Sequence, residues 1–206
     1  MGLVYFTGYW TSKIVAKALF GFRAYGREHI IEDGPAILAM NHESYLDPPL
    51  AGICCKREIY YLARKTLLHW PVLGPVFPKL NVVPVDQERA DAGALKAVIR
   101  LIRAGHSTVI FPEGSRTLDG NLQPAQPGLG FIIAKTGAPV VPMRIFGAHA
   151  AFPRGGTPKP FRRITIAISE PMRFSEAELS AGRRNLYQQL SERVMERIAA
   201  IGNPRR

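Results

Sequence analysis

The chain has 206 residues, 47% of them apolar, enough for one globular domain with a substantial core. Lys and Arg outnumber Asp and Glu by 27 to 16, a formal charge of +11, which directs the protein toward polyanions: nucleic acid, anionic lipid or phosphorylated substrates. Its two cysteines, Cys54 and Cys55, are neighbours, which argues against a disulfide framework and fits a reducing compartment.

The opening stretch MGLVYFTGYWTSKIVAKALFGFRAYG lacks the early positive charge and small-residue cleavage site of a signal peptide. Lys13 and Lys17 interrupt its apolar run, which falls short of the roughly 20 residues a spanning helix needs. Tyr5, Phe6, Tyr9 and Trp10 with the two lysines on one face fit a helix lying in a membrane interface. The alternative is a helix packed on the domain's own core. Residues 1–24 are taken as this amphipathic segment, and 25–206 as a single α/β domain.

Apolar runs at 36–40, 59–63, 80–85, 107–111, 139–146 and 163–168 predict strands. Between them, residues 90–105 carry Leu95, Val98, Ile99 and Ile102 at helical spacing, and Gly105 closes the segment. Residues 128–137 predict a short helix ending at Gly137. From Ser175 a capping box of Ser175 and Glu178 opens a tail expected to continue as an amphipathic helix. Such alternation predicts an α/β domain with a mostly parallel central sheet flanked by helices. Residues 117–128 form a long Gly/Pro-rich loop suited to a lid or substrate rim, and 152–163 a second, basic loop.

In an open parallel sheet, ligands bind beyond the carboxyl ends of the strands. NHESYLD, DQER and PEGSRT each follow a predicted strand, so they are expected to meet at one edge. On a regular helix His42 and Asp47 would be about 500° of turn apart and would not share a face. With His42 on the loop and Asp47 starting the helix, the carboxylate can hold one ring nitrogen and leave the other to take a proton. Asp47 ahead of Pro48 also reads as an N-cap with proline at the first helical position. In FPEGSRT, the backbone N–H groups of Gly114 and Ser115 can turn toward an anion, and Arg116 adds a planar fork suited to phosphate. A local pairing of Arg116 with Glu113 is the alternative. Asp86 and Glu88 are too few to argue for a metal. The aromatics do not interleave with Lys and Arg as a nucleic-acid stacking platform requires, so no nucleic-acid partner is expected.

Together these pieces resemble the glycerolipid acyltransferases of the 1-acylglycerol-3-phosphate acyltransferase type. NHESYLD matches the family's N-H-x-S-x-x-D block and FPEGSRT its F-P-E-G-x-R-S/T block, in the family's order. GAPVVPM (137–143) resembles the fourth block, and LARKTLLHWPVLGP (62–75) the basic stretch between the first two. The resemblance covers roughly residues 30 to 150.

It implies transfer of an acyl group from acyl-CoA or acyl carrier protein to the sn-2 hydroxyl of 1-acylglycerol 3-phosphate, making phosphatidic acid. Glycerol 3-phosphate, a lysophospholipid or an ornithine lipid are alternative acceptors, and a non-catalytic lipid-binding protein is the alternative class. Carried over, His42 is the general base and Asp47 its orienting partner. Glu113, Gly114, Ser115 and Arg116 bind the phosphorylated acceptor, and Arg64 and Lys65 add phosphate contacts. The second block departs from the family: Gln87 follows Asp86 where arginine is usual, and Arg89 comes two positions later as the displaced candidate. No metal and no cofactor beyond the acyl donor is implied. A covalent route through Ser44 or a cysteine is the mechanistic rival. The expected location is peripheral, on the cytoplasmic face of the cell membrane and against its anionic surface.

Overall fold

The computed structural model describes residues 2–205 apart from 70, 72, 73, 86–91 and 181–184. The chain opens with helix α1 (Leu3–Phe20), which stops where Gly21 takes a left-handed φ of 47°, a conformation a side chain disfavours. A short strand β1 (Arg23–Tyr25) follows. Its three residues carry no alternation legible in sequence, and its partner β7 holds it in place.

All six expected strands form: β2 (Ile37–Met40), β3 (Tyr60–Arg64), β4 (Val82–Val85), β5 (Thr108–Ile110), β6 (Val140–Phe146) and β7 (Thr165–Ile168). Among the described residues the sheet has seven strands in the order β1-β7-β6-β2-β5-β3-β4. Pairings are parallel except β6 with β7. The carboxyl ends of β2 to β6 therefore lie along one edge.

Central β2 is buried on both faces, as a parallel strand between two layers should be. Leu38 and Met40 join one core with Ala16 and Phe20 of α1 and with Leu50 and Ala51 of helix α2 (Asp47–Gly52). Ile37 and Ala39 join the opposite core, built with helices α3 (Ala92–Arg103), α4 (Pro127–Thr136) and α7 (Leu186–Ala200). Each fully buried Leu, Ile, Met or Phe among them contributes about 1.5–3 kcal/mol. Helices α4 and α7 meet at backbone range. A Cβ at Gly130 would stand 1.8 Å from the Tyr187 carbonyl oxygen, and the Gly130 N–H donates to Ser191 Oγ at 2.8 Å.

The C-terminal tail departs from the expected continuous helix. Ser175 and Glu178 make the capping box, with the Ser175 N–H donating to Glu178 Oε2 at 2.7 Å, but helix α6 (Glu176–Ser180) is short. Asn185 has φ 69°, and a left-handed residue cannot continue a right-handed helix, so α7 starts afresh after it. Helix α5 (Ala148–Ala151) links β6 to the basic loop. No helix among the described residues is long and apolar enough to cross a membrane.

Candidate active site

Two loops leave neighbouring strands, β2 and β5, and bind each other. The His42 N–H donates to Glu113 Oε1 at 3.3 Å, and the Thr117 N–H donates to the His42 carbonyl at 2.9 Å. These bonds extend the pairing of β2 and β5 past the strand ends. They are the reason two segments distant in sequence share one site.

His42 Nδ1 lies 2.7 Å from Asp47 Oδ2. The same oxygen accepts the N–H groups of Glu43 at 2.6 Å and Ser44 at 2.7 Å. The N-cap expectation is corrected here: Leu46 is the cap residue and Asp47 the first residue of α2. Its carboxylate turns back onto the 42–44 loop because that loop, not the helix, offers it three donors. With Nδ1 protonated and held, Nε2 is the ring's acceptor.

Electrostatics follow from burial. Asp47 is fully buried, and its burial pushes the carboxyl up to about 8, against the pull of the Ser44 and Glu43 N–H groups and of the Arg116 charge. Burial, reinforced by the Arg116 charge, pushes the His42 imidazole down to about 3, so the ring is neutral near pH 7. The two share a hydrogen bond and titrate as one unit.

The four residues at the β5 loop separate into different tasks. Glu113 points inward. It is 4% exposed, binds the His42 N–H, and burial raises its carboxyl to about 7. Gly114 has φ 73°, and its N–H donates to the Phe111 carbonyl at 3.0 Å, closing a turn. That N–H is therefore not aimed at an anion as expected, because the turn needs it. Gly114, Ser115 and Arg116 all line one cavity with His42. Lys65 is exposed and starts a short 3-10 helix after β3. Arg64 ends β3, but its side chain lies outside the description, and Arg89, Asp86 and Glu88 lie outside the described residues.

Neither covalent rival is placed to react. The Ser44 hydroxyl donates to the Phe152 carbonyl at 2.7 Å and accepts the Leu46 N–H. Cys54 and Cys55 are buried, their thiols turned to helix carbonyls, and burial pushes Cys54 up to about 12 and Cys55 well above its usual value.

Several site residues were not visible as such in the sequence. Phe111 stacks on the His42 ring at 3.8 Å between centroids, and the Arg116 guanidinium lies 3.7 Å from the Tyr45 ring centroid. Asn41 bridges to the backbone N–H and carbonyl of Ile145 and donates to Glu43, whose other oxygen accepts the His149 N–H. His42 is thus clamped from both neighbours. Position within NHESYLD was the sole sequence signal for Asn41, Glu43 and Tyr45.

The shared cavity has a volume of about 840 Å³, inside the usual range for small-ligand sites. Away from His42 its walls are largely apolar: Tyr5 and Tyr9 from α1, Ile53 after α2, Leu62 of β3, and Phe77 and Leu80 of a 3-10 helix (Phe77–Leu80).

A family profile described as Acyltransferase matches residues 21–146. The chain is 32% identical over 151 residues to the chloroplast 1-acyl-sn-glycerol-3-phosphate acyltransferase BAT2 of Brassica napus, covering 71% of this chain and 43% of that protein. It is 26% identical over 195 residues to the 1-acyl-sn-glycerol-3-phosphate acyltransferase of Bacillus subtilis, covering 93% of each. The crystal structure of the 1-acyl-sn-glycerophosphate acyltransferase PlsC from Thermotoga maritima superposes with a TM-score of 0.74 at 26% identity, over 97% of this chain and 81% of that one. The chain spans less than half the length of the plant relatives and nearly the whole of the Bacillus one. Both motif loops and the strands that carry them fall inside the matched span, and the chain belongs to the acyltransferase family, among its glycerolipid, 1-acylglycerol-3-phosphate acyltransferase-like members.

Proposed function

We propose that the chain transfers an acyl group from an acyl thioester, on CoA or acyl carrier protein, to the sn-2 hydroxyl of 1-acylglycerol 3-phosphate, forming phosphatidic acid. The observation that carries this is the His42–Asp47 pair opening, beside Arg116, into one largely apolar cavity. His42 Nε2 takes the acceptor hydroxyl proton as its oxygen attacks the thioester carbonyl. The C–S bond breaks, and the imidazolium returns the proton to the leaving thiolate. A positioned base of this kind is worth roughly 10²–10⁴ in rate. Arg116, fixed by stacking on Tyr45, binds the acceptor phosphate, and the apolar walls take an acyl chain. Glu113 serves this reading by fixing the His42 backbone.

Attachment to membrane is part of the same proposal. Leu3, Phe6, Trp10 and Ile14 of α1 are exposed and recur at helical spacing, with Lys13 4.6 Å from the Trp10 ring. This outer face supports peripheral binding to an anionic bilayer, and the unpaired thiols fit its cytoplasmic side.

The test is turnover of a long-chain acyl-CoA with lysophosphatidic acid, read as phosphatidic acid by mass, beside a panel of other acceptors. His42→Ala, checked for native circular dichroism, is expected to lose nearly all transfer. Near-normal transfer by that variant would refute the assignment. Arg116→Ala is expected to raise the acceptor KM.

A further inference from the structure

The basic loop 152–163 has no part in the mechanism above, yet it opens on the active site. The Phe152 carbonyl accepts the Ser44 hydroxyl, and the Phe152 ring lies 5.0 Å from the Tyr45 ring, whose own neighbour is Arg116. Beyond Phe152 the chain makes a tight turn. Gly155 has φ 73°, the Gly156 N–H donates to the Pro153 carbonyl at 3.1 Å, and the Lys159 N–H returns to the Ala151 carbonyl at 2.7 Å. That turn presents Arg154. Arg154 and Gly156 line the same cavity as His42 and Arg116, and among the described residues Arg116 and Arg154 are the arginines and lysines that do so. Arg154 is exposed, as is Lys159, and no ion pair joins Arg154 to a described residue.

Direct transfer needs both substrates present together, and both carry phosphate. The acceptor's phosphate is close to the attacking hydroxyl. The phosphates of a CoA thioester are remote from the reacting carbonyl, at the far end of the pantetheine arm. Two anions that must not displace one another need two cationic positions, one close to His42 and one further out. Arg116, stacked on Tyr45 of the catalytic loop, fits the first. We propose that Arg154 is the second: a binding site for the phosphates of a nucleotide-type acyl donor. This rests on the assignment of Arg116 to the acceptor.

The experiment measures KM for both substrates with Arg154→Ala, using a long-chain acyl-CoA and the same acyl group on N-acetylcysteamine, which has no phosphate. A charge-assisted contact at an exposed site predicts a rise of about tenfold in the acyl-CoA KM. The rise is absent for the N-acetylcysteamine thioester and for the acceptor, and Arg154→Lys recovers most of it. An unchanged acyl-CoA KM, an equal rise for both donors, or a rise in the acceptor KM would overturn the proposal. A larger effect on an acyl carrier protein donor than on acyl-CoA would overturn the nucleotide assignment. Arg116→Ala in parallel separates the two readings, since a shift confined to its donor KM sinks the acceptor assignment of Arg116. Equilibrium binding of CoA to wild type and Arg154→Ala tests the site even where the acceptor is wrong, and equal affinities would count against it.

Discussion

Asp47 has three donors converging on one oxygen and none on the other, which is buried without a partner. A buried acceptor left bare is costly, about 1–3 kcal/mol, and the arrangement favours stability less than it favours one imidazole orientation. Protonated Asp47 would donate to Nδ1 and leave Nε2 carrying hydrogen, the wrong form for a base. The competent form therefore accumulates as pH rises toward about 8, where burial has placed the Asp47 carboxyl. The expected kcat profile climbs between about pH 7 and 9, centred near 8, with no inflection from the imidazole, which burial holds near 3. Asp47→Asn, offering an N–H where the carboxylate accepted one, is expected to lower kcat by roughly 10²–10⁴ and to abolish that limb. A profile with its limb unchanged in the variant would show that another group titrates.

At the scale of elements, α1 has two faces with different fates. Tyr5, Ala16 and Phe20 are buried, and Tyr5 bonds the Ile59 N–H and the Tyr61 hydroxyl. Gly8 packs so closely that a Cβ there would lie 2.9 Å from Leu80 Cδ2. Removing the helix would thus strip a wall from the cavity, so the informative change is to its outer face. Phe6→Glu with Trp10→Glu is expected to weaken binding to vesicles containing phosphatidylglycerol at least tenfold, with transfer to a detergent-dispersed acceptor retained. Unchanged vesicle sedimentation would remove α1 from membrane attachment. On the inner face, where Gly8 and Leu80 both line the cavity, Gly8→Leu forces the Leu80 side chain aside and narrows the cavity, and it is expected to shift donor preference toward shorter acyl chains, read as relative kcat/KM across a chain-length series.

For the molecule as a whole, three carboxyls buried among the described residues bear on stability. Burial raises Glu43 to about 7, Glu113 to about 7 and Asp47 to about 8, so the folded state holds their protons more tightly than the unfolded chain does. Their contribution is complete below the ordinary carboxyl range and is lost as pH rises through these values. His42 acts oppositely, its contribution being present above 6.5 and lost as pH falls toward about 3. Between about pH 6.5 and 8 the imidazole no longer contributes a slope, and Tm is expected to fall by a few degrees. Glu43→Gln, which keeps an acceptor for the His149 N–H, should flatten that fall; a slope as steep as wild type would place the titration elsewhere.

Strand identity and the residues of the two motif loops were legible in the chain itself, because apolar runs and short motifs are local properties of sequence. H-x4-D and FPEGSRT named His42, Asp47 and Arg116 in the same local way. What tertiary structure alone decided was adjacency. Parallel pairing of β2 with β5 set those loops side by side and turned Glu113 inward to the His42 backbone, and local packing left Asp47 as the partner of His42 but moved the cap of α2 to Leu46. It also stacked Phe111 on His42 and Tyr45 against Arg116, contacts their places in the motifs do not state, and drew in Arg154 from a position with no motif to mark it. Contacts of that kind depend on strand order and packing, and no spacing within a linear chain encodes them.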